Sequence, residues 1–292
     1  MALVFRNYDL PSLELEYAGS VRQPELTAPR AEREARVAEE SARVLAERPR
    51  LLDLAYGPHP RERLDYFPVA DDFAPLFLFI HGGYWKSRDK SMFSYLAPAF
   101  LDAGINFAAI GYPYATDGRL RGTVASCRKA LHWLLSYPSG LRFDPTRLHV
   151  GGHSAGGHLA AMMLATDWGA FGLPADTVKS ATCISGLYDL EPLTICRQHK
   201  DLGIDDEEVR ELSPVRLRPR NPSGRLIATI GGGECTEFKR HTRELADAWE
   251  KAGLKVSRPA APRRYHFDVL DELARRGRPL NRAVMTAIGA RR

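Results

Sequence analysis

The chain is poor in the residues that build metal or disulfide frameworks. Cysteine occurs only four times in 292 residues, at Cys127, Cys183, Cys196 and Cys235. No CxxC and no cysteine/histidine ligand spacing is present, so neither a zinc site nor a disulfide scaffold is indicated, and free thiols in a reducing compartment are expected. Long apolar runs are also missing: none approaches the roughly eighteen residues of a membrane span, and the opening MALVFRNYDLPSLELEY has no apolar core behind a basic start. A soluble, cytoplasmic protein without a membrane partner is the expectation. There is no internal repeat and no low-complexity linker, which leaves residues 1–292 as a single domain. Nor is there a strong charge imbalance. The net charge of +5 is spread over arginine-rich stretches such as Arg263, Arg264, Arg275, Arg276, Arg278, Arg291 and Arg292, a pattern of solvated surface and not of a nucleic-acid face.

What is present is 44% hydrophobic and 26% charged residues, enough for one large core. Residues 1–30 read as an irregular polar arm. Residues 31–47 place Ala35, Val37, Ala42, Val44 and Leu45 at helical spacing, an amphipathic helix whose expected role is to pack on the domain, with covering a pocket mouth as the alternative. Two antiparallel strands follow, 50–56 and 63–69, joined by a turn at 57–60. LFLFI at 76–80 is apolar on both faces, as a strand between two helical layers must be. Helices are expected near 92–103 and 120–135, from 238 to 252 and from 269 onward, with strands at 106–111, 179–185, 226–231 and 255–259. This alternation predicts a mostly parallel central sheet with helices on both faces, its site at the carboxyl ends of the strands. The irregular segment 187–224 leaves room for a small cap or none.

The stretch RLHVGGHSAGGHLAAMMLATDW at 147–168 reads as strand, tight turn and helix, with Ser154 in a GxSxG pattern at the turn. A serine pushed out there needs small neighbours, and its place at a helix N-terminus favours negative charge. A serine hydroxyl is a weak nucleophile without a base and a group that orients the base. Sheets with such an elbow carry those partners downstream, acid before histidine. Glu234 follows the strand 226–231 and His266 follows the strand 255–259, so Ser154, His266 and Glu234 are the candidate nucleophile, base and orienting acid. Asp189 lies one strand too early for that acid, and Asp268 is too close to His266 along the backbone. The developing oxyanion needs donors, each worth about 3 kcal/mol. Gly82 and Gly83, after the buried strand, and the N–H of Ala155 can supply them. Tyr84 and Trp85 are candidate pocket residues, with core packing as the competing role. His81, His153 and His158 read as structural. No metal and no cofactor is implied. The partner is a small-molecule substrate, and a homodimer is left open.

HGGYW at 81–85, GHSAGGHLAAMMLATDW at 152–168, SGLYDLEPL at 185–193, and ECTEF at 234–238 with HFD at 266–268 resemble the kynurenine formamidases (arylformamidases). That branch of the α/β-hydrolase superfamily lies close to the hormone-sensitive-lipase-like carboxylesterases. The resemblance implies an α/β-hydrolase fold and metal-independent cleavage of N-formyl-L-kynurenine, another aryl formamide or a small ester or carbamate through an acyl-serine. It departs at one point: where that family usually carries aspartate as the acid, this chain has Glu234. A non-catalytic binding homologue is the alternative from a different class.

Overall fold

The computed structural model describes residues 2–18, 27–136 and 141–290; Arg291 and Arg292 lie outside them. The strands are β1 (Leu51–Ala55), β2 (Arg63–Phe67), β3 (Leu76–Ile80), β4 (Asn106–Ile110), β5 (Leu148–His153), β6 (Val178–Ile184), β7 (Arg225–Thr229) and β8 (Lys255–Ser257). They form one sheet in the order β1-β2-β4-β3-β5-β6-β7-β8. β1 and β2 join antiparallel, β2 runs antiparallel to β4, and every later pairing is parallel. The helices are α1 (Leu10–Glu16), α2 (Thr27–Glu47), α3 (Ala97–Leu101), α4 (Ala115–Ser136), α5 (Ala155–Ala165), α6 (Glu191–Ile195), α7 (Asp206–Leu212), α8 (Thr236–Lys251), α9 (Asp271–Ala274) and α10 (Pro279–Ile288).

The pleat explains why β3 is apolar throughout. Leu76, Leu78 and Ile80 face the core that holds α4 and α5, while Phe77 and Phe79 face the opposite core with Phe100, Phe107 and Leu280. Among the described residues no helix is long and apolar enough to cross a membrane.

The arm departs from its expected irregularity. Asp9 caps α1 by accepting the Ser12 N–H at 3.0 Å, and α2 starts at Thr27, earlier than position 31. The single helix expected over 92–103 is a 3-10 turn, Lys90–Leu96, followed by α3. Pro98 is the reason: it has no N–H to give to the preceding turn, so a new helix must begin around it. The 187–224 segment is less irregular than its sequence suggests, containing α6, a 3-10 turn at Arg197–Leu202 and α7. The helix expected from 269 onward is broken between α9 and α10.

Val37 and Val44 of α2 join the core of Tyr95, Leu96 and Leu270. Arg33 and Arg36 of the same helix each reach Asp271 at 2.9 Å. Asp271→Asn removes the counter-charge of Arg33 and leaves Arg36 only Glu40, a loss of about 1–3 kcal/mol for charge-assisted hydrogen bonds. The expected result is a lower melting temperature and faster proteolytic cleavage within α2. If both stay as in the parent, the apolar contacts and the other polar ties of the helix, such as Arg33 to the Tyr95 hydroxyl, hold it without Asp271.

Candidate active site

β5 delivers Ser154 at φ 58°, ψ −122°, a conformation sparsely used by residues with a side chain. It is held by neighbours on two strands. The Ser154 N–H donates to the Ile184 carbonyl at 2.8 Å, and α5 passes so close to β3 that a Cβ on Gly156 would sit 2.0 Å from the Ile80 oxygen. Although Ser154 stands at the N-cap of α5, its hydroxyl caps no backbone N–H. It points instead to His266, whose Nε2 lies 3.1 Å from Oγ.

The other imidazole nitrogen, Nδ1, lies 2.7 Å from Glu234 Oε2. The second carboxylate oxygen accepts the Ser185 hydroxyl at 2.5 Å and the Gly231 N–H at 2.8 Å. A carboxylate so supplied is an acceptor, so Nδ1 carries the proton and Nε2 turns a lone pair toward the Ser154 hydroxyl. His266 is fixed from two further sides. His153 Nε2 donates to its carbonyl at 2.6 Å, and the Phe238 ring meets it edge-on at 4.9 Å. Burial holds His153 well below the usual imidazole range, so it stays a neutral donor.

The structure therefore brings Ser154, His266 and Glu234 into contact and leaves the competing acids elsewhere. Asp189 pairs with Arg216 and Arg240, and Asp268 accepts the Tyr265 N–H and faces Arg264. Ser185 was not singled out from the sequence. It sits at φ 49° beyond the end of β6, and its only sequence signal is a serine at the carboxyl end of the strand beside the elbow.

Gly82 lies against the elbow: a Cβ there would be 2.6 Å from the His153 carbonyl and 3.0 Å from Ser154 Cβ. Among the described residues none accepts the backbone N–H of Gly82, Gly83 or Ala155, so all three remain available to an oxygen held beside Ser154. His81 braces this loop. It donates from Nδ1 to the Gly82 carbonyl at 2.8 Å and stacks on Tyr112 at 4.3 Å, and burial lowers its pKa to about 4. His158 is likewise buried, its Nε2 donating to the Leu212 carbonyl at 2.7 Å.

Tyr84 lines the cavity in front of Ser154, with its hydroxyl donated to the Tyr17 carbonyl at 2.9 Å. Trp85 does not line it, contrary to the sequence expectation. The two residues follow each other at φ 49° and 54°, which turns Trp85 away into the core, where its Nε1–H donates to His158 at 3.2 Å.

The cavity encloses about 590 Å³. Ser154 and His266 stand in its wall with Phe93, Tyr95, Phe238 and Phe267, and Val37, Ser41 and Leu45 of α2 close it from above. The N-terminal helix thus does more than the packing expected of it, because the stripe it buries lies partly over this hollow. Among the described residues no group of three or more His, Cys, Asp or Glu side chains is gathered to hold a metal ion.

The BD-FAE family profile matches residues 66–176. The chain is 31% identical over 245 residues to the kynurenine formamidase of Danio rerio, covering 82% of each chain. It is 27% identical over 263 residues to that of Drosophila melanogaster, covering 86% of this chain and 87% of the fly protein. A solved structure from Silicibacter sp. TM1040, provisionally named a thioesterase, superimposes with a TM-score of 0.77 at 28% identity, over 94% of this chain and 98% of that one. Esterase B of Lactobacillus rhamnosis shares the fold, with a TM-score of 0.68 at 16% identity over 91% and 96% of the two chains. An elbow serine, a mostly parallel eight-stranded sheet and relatives matched along most of their length agree: the chain belongs to the kynurenine formamidase family of α/β-hydrolases.

Proposed function

We propose that this protein is a cytoplasmic serine hydrolase that cleaves a small aryl formamide of the N-formyl-L-kynurenine kind. One observation carries the reading, the continuous contact from Glu234 through His266 to Ser154 in the wall of an aromatic cavity. Ser154 Oγ attacks the formyl carbon while His266 Nε2 takes its proton, and the carbonyl oxygen becomes an oxyanion held by the N–H groups of Gly82, Gly83 and Ala155. The C–N bond then breaks, His266 returns the proton to the departing arylamine, and the formyl group stays on Ser154. Water, deprotonated by His266, attacks the formyl-serine; formate leaves and the serine regains its proton. Glu234 stays ionised throughout and stabilises the imidazolium.

A small ester or thioester is the second reading, favoured by the thioesterase name of the 28%-identical Silicibacter protein. The same residues serve both, and preference is a ratio of specificity constants. For the formamidase reading, kcat/KM for N-formyl-L-kynurenine is expected to exceed that for p-nitrophenyl acetate by at least about tenfold; the reverse order assigns the enzyme to esters. A fluorophosphonate is expected to label Ser154 alone, located by peptide mass spectrometry. A folded protein that takes no label is a binding homologue and not an enzyme.

A further inference from the structure

We propose that Arg30 and Arg88 form a seat for a carboxylate at the far end of the substrate, so that the enzyme selects aryl formamides bearing an acid group over neutral ones. The inference rests on the hydrolase reading above and deepens it. Both guanidinium groups gather over one ring: Arg30 Cζ lies 4.0 Å and Arg88 Cζ 5.6 Å from the centroid of Phe267. Phe267 follows the proposed base directly, its ring 5.3 Å from that of His266. From the reacting centre to the guanidinium of Arg30 is thus two ring contacts, the span of an aryl group with a short side chain ending in a carboxylate.

The position of Arg88 is built and not incidental. Its backbone is at φ 72°, a conformation that residues with a side chain adopt rarely and that persists only where surroundings impose it. Here they do. The Arg88 carbonyl accepts from Arg61 Nη2 and from the Tyr114 hydroxyl, both at 2.6 Å, and the side chain is left to line the cavity.

Charge accounting points the same way. Arg30 and Arg88 share one carboxylate, Glu34, at 3.0 and 3.4 Å. Arg33, the third cavity arginine, already faces Asp271 and the Tyr95 hydroxyl. Of the other acids on the cavity, Glu16 accepts the Glu237 N–H and Glu234 accepts from Ser185, Gly231 and His266. Among the described residues, two guanidiniums against one acid leave a positive charge in a partly enclosed space, where an incoming carboxylate is held more strongly than in water. A guanidinium offers it paired donors in one plane.

The test is a discrimination ratio measured on one preparation, so that the fraction of folded protein cancels. The specificity constant for N-formyl-L-kynurenine is divided by that for 2′-formamidoacetophenone, which keeps the aryl ketone and lacks the whole amino-acid end, so that the arginine variants, and not the parent ratio, report on the carboxylate. In Arg30→Met/Arg88→Met the ratio is expected to fall at least tenfold, mainly through KM, and Arg30→Lys/Arg88→Lys to recover part of it. A ratio that falls less than tenfold overturns the seat while leaving the formamidase reading intact. If the parent cleaves neither formamide, that reading fails, and the seat is judged by competitive inhibition of p-nitrophenyl acetate hydrolysis. There L-kynurenine must bind at least tenfold better than 2-aminoacetophenone, and the preference must vanish in the double methionine variant; otherwise the seat falls as well.

Discussion

Ser154→Ala is expected to lower kcat by about 10⁴-fold or more and to leave the melting temperature nearly unchanged. The two halves of this expectation have different causes. The hydroxyl makes its contact with His266 and caps nothing, so its removal breaks no structural bond. Alanine at φ 58° bears the same backbone strain as serine, because the strain comes from Cβ. What is lost is the atom that forms the acyl intermediate, and the residual rate is that of an oxyanion pocket acting on a bound substrate without a nucleophile. Steady-state turnover of N-formyl-L-kynurenine and of p-nitrophenyl acetate, beside a thermal melt, checks both halves. Turnover within a hundredfold of the parent would require a different nucleophile.

Glu234→Gln is expected to cost about 10³–10⁴-fold in kcat, although glutamine has the same shape. One carboxylate oxygen accepts from the Ser185 hydroxyl and the Gly231 N–H, so the amide oxygen must take that place. Its NH₂ group is then presented to His266 Nδ1, which can only answer as an acceptor. The ring proton moves to Nε2, where it faces Ser154, and a base that already carries its proton at that nitrogen cannot take another from the serine. Glu234→Asp fails differently: the shorter side chain cannot keep Ser185 and Gly231 and still reach His266 across 2.7 Å. Its expected loss is smaller, about 10–100-fold, since the tautomer survives while the orientation loosens. The comparison is informative because aspartate is the acid that the resemblance to the formamidases implies at this position. Glutamine retaining more than a tenth of the parental kcat would mean that another group sets the tautomer.

Much of this site was legible because its constraints are local or topological. The elbow needs small residues at fixed offsets from Ser154, and fixed offsets are what a sequence displays. Glu234 and His266 were found by counting strands, since a parallel sheet places each strand-end loop in a known order. Other features depend on information the sequence pattern does not carry. An amphipathic helix shows the same apolar stripe whether that stripe covers a packed core or a hollow, so the sequence leaves both roles open for α2 and cannot choose between them. Trp85 and Tyr84 are adjacent aromatics, and only the successive left-handed turns at 84 and 85 send one to the cavity and the other inward. Arg88 has no signal in the sequence pattern, because its place in the cavity wall follows from a backbone angle held by two distant donors, Arg61 and Tyr114.

The fastening of α2 bears on how the protein is made. The helix leaves the ribosome early, yet its latch is Asp271, 238 positions after Arg33 and 235 after Arg36. Synthesis proceeds at about 5–20 residues per second, so for many seconds the nascent chain can seat α2 only on the earlier Lys90–Leu96 turn, through Tyr95 and Leu96, with Asp271 not yet made. The serine elbow and the glycine loop are laid down in that interval. The polar latch can close only when Asp271 emerges, which makes the fastening of this wall of the cavity a late event of biosynthesis although its apolar seat is made early.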